Sequence, residues 1–260
     1  MKLTIGYLYP DLMNIYGDTG NIIALQKRCQ WRGIEVKVKY VSIGDKIKKG
    51  ECDLYFFGGG QDQSQVLVAE DLVRSDMGDV IRHDVERGVP LLSICGGYQL
   101  LGAYYRPQEG PKIGGLGIFD VYTNASFERM IGNLVVEADS KWQIENGKKQ
   151  TSIRNLPLAI SQFVGFENHS GKTFLGPTAK PLGKVVKGFG NNGEDGTEGV
   201  IYKNAIGCYM HGSLLPKNPE LADWLIKKAL EVKYGKETEL EPLDDLLETK
   251  AHDFAVSKFG

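Results

Sequence analysis

The sequence predicts an α/β protein built on a doubly wound, mainly parallel sheet with helices on both faces, and three observations carry that prediction. Short β-branched or apolar runs alternate with stretches of helical spacing from residue 3 to residue 102. Two of those runs stop at glycines, Gly58-Gly59-Gly60 and Cys95-Gly96-Gly97, where a chain leaving a buried strand must turn sharply. Beyond residue 102 the pattern changes to short alternating runs, which extend the sheet with antiparallel strands.

Taken in order, residues 3–9 alternate and then turn at Pro10, which makes a first strand. The loop 11–20 leads into a helix over 22–31, capped by Thr19 or Asn21 and closed by Gly33. Residues 35–41 are β-branched and alternating, a second strand. A charged connector, 46–50, precedes a third strand over 52–57 that stops at the glycine triplet. Helical spacing follows at 63–74 and 76–87, and residues 89–94 form a continuous apolar run, the mark of a strand covered on both faces. The antiparallel runs are 118–122, 132–137, 163–166, 185–188, 199–203 and 206–210, the last two joined by an Asn204-Ala205 turn. Residues 141–155 are polar and read as a surface insertion, and 191–196 as a loop. An amphipathic helix is expected over 221–234, with Leu221, Trp224, Leu225, Ala229 and Val232 on or near one face. Another, over 242–259, has an apolar stripe of Leu243, Leu246 and Leu247. The expected division is one domain over 1–235 and a helical tail over 236–260 that docks on it.

Chemistry concentrates where strands end, because functional groups of a doubly wound sheet collect at the carboxyl ends of its strands. Cys95 stands between a buried strand and a helix and is followed by two small residues, the pattern of a nucleophile elbow. A helix N-terminus favours the reactive thiolate. Against this, an isolated thiol is often only a small buried hydrophobe. The base expected to serve it is His211, which ends the run 206–210 and precedes Gly212. His169 is the rival, while His83 on a charged helix face and His252 in the tail are expected to be solvated. The loop Gly58-Gly59-Gly60-Gln61-Asp62 lacks the Lys-Ser/Thr ending of a phosphate loop. It is either a plain strand-to-helix turn or, the preferred reading, a source of backbone N–H groups (Gly59, Gly60) that join Gly96 in an oxyanion hole.

Composition narrows the classes. A net charge of −2 with mixed Lys and Glu gives no electrostatic case for nucleic acid. Met1 to Ile5 run straight into a strand, so no cleavable signal is expected, and no apolar run is long enough to span a bilayer. Cys29, Cys52, Cys95 and Cys208 are scattered without a paired motif, which suits reduced thiols in a cytoplasm. The four histidines lack ligand spacing with them, so no metal site is expected.

The run Cys95-Gly96-Gly97-Tyr98-Gln99-Leu100-Leu101-Gly102, with Gly58–Gly60 upstream and His211 downstream, resembles the class I glutamine amidotransferases, in their cobyric acid synthase-like branch. Within that branch, further motifs are similar to the glutaminase subunits of bacterial lipid II isoglutaminyl synthases. They are Tyr16-Gly17-Asp18-Thr19-Gly20-Asn21-Ile22, Gly165-Phe166-Glu167-Asn168-His169, Gly188-Phe189-Gly190-Asn191-Asn192 and Tyr209-Met210-His211-Gly212. The resemblance spans about residues 5–216 and implies a flavodoxin-like sheet. It also implies hydrolysis of L-glutamine and delivery of ammonia to a Mur-ligase-like synthetase subunit in a heterodimer. That partner would hold ATP and Mg, leaving no cofactor in this chain, and would amidate the α-carboxylate of D-glutamate in the lipid II stem peptide. Residence would be cytoplasmic, reaching the inner membrane surface through lipid II. Carried over residue by residue, Cys95 is the nucleophile, His211 the general base, and Arg129 and Gln99 the substrate-binding residues. A guanidinium suits the α-carboxylate of glutamine, although a surface ion pair would also explain an arginine there.

Two departures stand out. Class I triads place a Glu two residues after the His, and Ser213 occupies that position here. The cobyric acid synthase-like branch also lacks this Glu, so a Cys–His dyad is expected, with the imidazole oriented by another acceptor such as a carboxylate of the partner. The segment 141–162 is also long for these subunits. The competing functions are a glutaminase serving a corrinoid carboxylate and a catalytically silent scaffold.

Overall fold

A computed structural model describes residues 1–138 and 162–259. The first half runs β1 Lys2–Leu8, α1 Thr19–Trp31, β2 Glu35–Val41, β3 Leu54–Phe57, α2 Asp62–Arg74, α3 Met77–Glu86, β4 Leu91–Ile94 and α4 Gly96–Leu101. After it come β5 Tyr104–Arg106, β6 Ile113–Gly114, β7 Val121–Ala138, β8 Gln162–Leu175, β9 Gly183–Lys187, β10 Thr197–Glu198, β11 Val200–Tyr202 and β12 Ala205–Cys208. Three helices close the chain: α5 Leu214–Lys217, α6 Pro219–Tyr234 and α7 Leu246–Phe259.

The first sheet has the order β11-β12-β4-β3-β1-β2. Every pairing in it is parallel except that of β11 with β12. All four residues of β3 and all four of β4 are buried, which is why both read as largely apolar runs, β4 interrupted only by Ser93, whose Oγ donates to Ile206 O at 3.1 Å. Edge strand β2 instead alternates Val36 and Val38 with Glu35, Lys37 and Lys39, charges that discourage further pairing. Placing β1 between β2 and β3 reverses the winding there, which puts helices on both faces and makes a crevice at the strands' carboxyl ends.

The expected antiparallel strands take two forms. The run 206–210, expected to be antiparallel, supplies β12, which joins the first sheet parallel to β4; β11 extends it antiparallel, and the remaining strands build a second sheet of order β10-β9-β7-β5-β6 with β8 also paired to β7. The runs 118–122 and 132–137 are not separate strands: the end of the first, from Val121, and all of the second lie in the 18-residue β7, which a register shift between Ala125 and Met130 interrupts. An alternating pattern broken by a bulge looks like two strands in sequence, because the extra residues flip the facing of everything after them. The insertion expected at 141–155, and the long segment 141–162 but for its last residue, lie outside the described residues. Beyond the end of β12 the chain is bridged to β8 of the second sheet, where His211 N–H donates to Phe166 O at 2.8 Å and Phe166 N–H to His211 O at 3.3 Å.

Helix α6 forms as its pattern predicts, with Pro219 in its first turn and Gly235 ending it in a left-handed conformation (φ 65°). Helix α7 departs from expectation. Leu246 and Leu247 remain exposed, so the predicted stripe does not dock the tail. Leu240, ahead of α7, packs on the core, and polar contacts tether the segment: buried Arg28 forks onto Asp245 at 2.6 and 2.8 Å and onto Asp223 at 2.6 and 2.7 Å. His252, expected to be solvated, donates from Nδ1 to Lys217 O at 2.9 Å. His83 lies only part in solvent, its Nδ1 3.0 Å from Asp84 Oδ1.

Candidate active site

Register brings the predicted residues together. Strand β4 lies between β3 and β12, with Ser93 opposite Phe57 and Ile94 opposite Cys208. The next residues of each strand are therefore neighbours: Gly58 to Gly60 on one side of Cys95, and Tyr209 to His211 on the other.

Cys95 has φ 49° and ψ −106°, a conformation that costs a non-glycine residue about 1–3 kcal/mol and marks the elbow. Its surroundings enforce it. Cys95 N–H donates to Cys208 O at 2.8 Å, Gln99 N–H to Cys95 O at 2.9 Å, and Gly97 N–H to Gly58 O at 3.1 Å. A methyl group on Gly97 would lie 2.6 Å from Phe57 O, so only glycine permits the strand and helix to approach this closely.

His211 is fully buried, and its Nδ1 lies 3.2 Å from Asp18 Oδ1. A carboxylate only accepts, so Nδ1 carries the proton and Nε2 is the atom left to act. Among the described residues Nε2 has no hydrogen-bond partner. Burial opposes an imidazolium here, yet Cys95 and Asp18 together outweigh it and raise the His211 pKa from its ordinary 6.5 to about 10. A carboxylate of this chain thus faces Nδ1 of the imidazole.

Asp18 stands at the N-cap of α1, but its carboxylate does not cap the helix. Oδ1 faces His211 and Oδ2 accepts from Gly59 N–H at 2.7 Å. Ser213, at the position where class I triads have Glu, secures the Asp18 loop: its Oγ donates to Gly17 O at 2.6 Å. The hydroxyl holds the loop that brings the carboxylate.

That contact corrects one expectation. Gly59 N–H is spent on Asp18, while the N–H groups of Gly60 and Gly96, the other expected donors, make no hydrogen bond among the described residues. The two amides adjoin, since a methyl on Gly96 would lie 2.9 Å from Gly60 N. Gly59 matters sterically: a Cβ there would come within 2.7 Å of His211 Cε1 and 3.3 Å of Cys95 Cβ, so both side chains crowd one point. Gly59→Ala is expected to push the imidazole aside and slow glutamate release about 10²-fold, as sub-ångström misplacement of a reacting group does, with thermal melting as the check on folding. An active, normally folded variant would contradict that placement.

Of the remaining predicted residues, Arg129 is exposed and reaches the Tyr16 that packs on His211, donating from Nε to Asn168 Oδ1 at 2.7 Å and from Nη2 to Tyr16 OH at 3.0 Å. Gln99 is buried and braced rather than open: Oε1 accepts from Gln65 at 3.1 Å and Nε2 donates to Tyr209 OH at 3.0 Å. The rival base, His169, belongs to another cluster. Its Nδ1 donates to Gly171 O at 2.8 Å and its ring stacks on Tyr209 at 3.5 Å. Glu167 holds the loop after β9, accepting from Phe189 N–H at 2.7 Å and Gly190 N–H at 2.9 Å. Sequence reasoning missed Asp18 and Tyr16, although their motif was singled out; an Asp before a helix ordinarily reads as a cap. Among the described residues no His, Cys, Asp and Glu cluster suits a metal ion, and no helix is long and apolar enough to cross a membrane.

Residues 4–219 match the CobB/CobQ-like glutamine amidotransferase domain. The chain is 38% identical to the lipid II isoglutaminyl synthase (glutamine-hydrolyzing) subunit GatD of Staphylococcus aureus over 99% of this chain and 96% of that protein. It is 41% identical to the GatD subunit of Streptococcus pneumoniae over 95% of this chain and 87% of that one. The solved PurLQS structure from Thermotoga maritima shares the fold, with a TM-score of 0.52 at 18% identity over 91% of this chain and 100% of that one.

Proposed function

The chain belongs to the CobB/CobQ-like glutamine amidotransferase family, and from that membership we propose how it works as the glutamine-hydrolysing subunit of a lipid II isoglutaminyl synthase. The observation that carries the mechanism is Asp18 against the imidazole of His211, beside the strained elbow of Cys95.

Asp18 holds His211 with Nε2 toward the reaction, and the imidazolium favours the Cys95 thiolate. The sulfur attacks the glutamine carboxamide carbon, and its oxygen takes the charge at the N–H groups of Gly60 and Gly96, a donor of this kind contributing about 3–4 kcal/mol. Nε2 gives its proton to the amide nitrogen, the C–N bond breaks, and ammonia leaves an acyl thioester. Water then loses a proton to Nε2 and attacks the thioester carbon. The C–S bond breaks, releasing glutamate and restoring the ion pair. Arg129 would hold the substrate α-carboxylate.

Ammonia would pass to a Mur-ligase-like synthetase subunit, which would supply ATP and Mg for activation of the stem-peptide α-carboxylate. The loop after β3 has no Lys-Ser/Thr ending with which to cradle nucleotide phosphates here. The test is transfer: the assembled complex, given glutamine labelled with ¹⁵N at the amide, ATP and lipid II, is expected to place the label in the D-isoglutaminyl product. Labelled ammonia released without labelled product would remove the acceptor from the proposal. Neither glutamate nor ammonia would leave only a scaffold.

A further inference from the structure

Tyr16 touches both His211 and Arg129, and this mechanism leaves it unused. Its ring meets the imidazole of His211 edge-on, with centroids 5.1 Å apart and planes at 75°. Its hydroxyl oxygen accepts from Arg129 Nη2 at 3.0 Å. The backbone is left-handed at both Tyr16 (φ 54°) and Gly17 (φ 82°), a conformation that costs a non-glycine residue energy and that proteins keep where a site requires it. The partners of Arg129 are informative too. Both Asn168 and Tyr16 are neutral, and among the described residues no carboxylate pairs with this guanidinium. A cation placed by neutral neighbours keeps its charge for an anion that arrives.

Resting on the reading of Cys95, His211 and Arg129 given above, we propose that Tyr16 is a second substrate-binding residue, gripping the glutamine α-carboxylate jointly with Arg129. The donor count supports it. The hydroxyl accepts from Arg129 through its lone pair, so its own proton remains to be donated, and a carboxylate oxygen beside the guanidinium is the acceptor it suits. The ring, backed by the imidazole, keeps that hydroxyl from swinging away, and a tyrosine loses little side-chain freedom in being held. Tyr16 therefore ties the recognition of the substrate's amino-acid end to the histidine that acts on its amide end.

The test compares two reagents on Cys95 in the assembled complex, following adduct formation by mass. 6-Diazo-5-oxo-L-norleucine carries the amino-acid head group of glutamine, whereas iodoacetamide does not. Tyr16→Phe keeps the ring and removes only the hydroxyl. It is expected to raise the half-saturating concentration of the diazo reagent, and the KM for glutamine, about tenfold, the effect of losing one hydrogen bond to a charged group, with kcat falling much less. The iodoacetamide rate should hardly change. An unchanged half-saturating concentration overturns the proposal, and so does equal slowing by both reagents, which would place Tyr16's effect on the thiol. Arg129→Lys without effect on half-saturation would remove the carboxylate grip on which Tyr16 depends. A wild-type complex that releases no glutamate and leaves Cys95 unmodified by both reagents would instead overturn the glutaminase reading itself.

Discussion

Replacing Cys95 by alanine is expected to lower glutamate release by the assembled complex by about 10⁴-fold or more, because no other group replaces the sulfur as the atom that forms the acyl intermediate. Cys29, Cys52 and Cys208 are also buried thiols, and burial pushes the first two up to about 12 and the third well above its ordinary range. None of them is poised as a thiolate. The elbow geometry should survive the change, since alanine carries the same Cβ at φ 49°. A folded alanine variant with wild-type release would end the mechanism, and melting temperature separates that outcome from a failure to fold.

Asp18→Asn is expected to cost about 10³–10⁴-fold in kcat, the scale seen when a carboxylate that fixes a catalytic imidazole becomes an amide. An asparagine keeps the volume and can still accept from Gly59 N–H through its oxygen. Its NH₂ then faces His211 Nδ1, which must become an acceptor, and the proton moves to Nε2 where the neutral ring can no longer act as base. The pH profile gives a second readout. In the native site His211 is raised to about 10, so the imidazolium persists through neutral pH; its contribution to stability is complete below 6.5 and is lost as pH rises through about 10. Removing the Asp18 charge withdraws one of the causes of that rise. The alkaline limb of kcat/KM should therefore move to lower pH. A variant with near-native kcat and an unmoved limb would show that another group orients His211.

Several features were legible because they are local. A buried strand covered on both faces must be largely apolar, and the runs of β3 and β4 announce this. A sharp turn with close backbone approach needs small residues, and Gly96-Gly97 mark it. Those same local features put Cys95 and His211 at strand ends. The long β7 was less legible, since its bulge breaks the alternation by which strands are recognised. The tail illustrates a different gap: its apolar stripe suggested hydrophobic docking, while the polar contacts that tether it join Arg28 to Asp245, 217 residues apart.

By itself the sequence determined the order of strands and helices, the strained turn carrying the sulfur, and the histidine that follows a neighbouring strand. Pattern and turn chemistry depend on residues close along the chain, so the linear order contains them. Only the tertiary structure decided where Asp18, Gly59 and Tyr16 lie. Asp18 lies 193 residues from His211, and a carboxylate before a helix can equally cap that helix or orient a base. Which of the two it does depends on where the loop after β1 meets the loop after β12, and that meeting is set by the packing of the sheets.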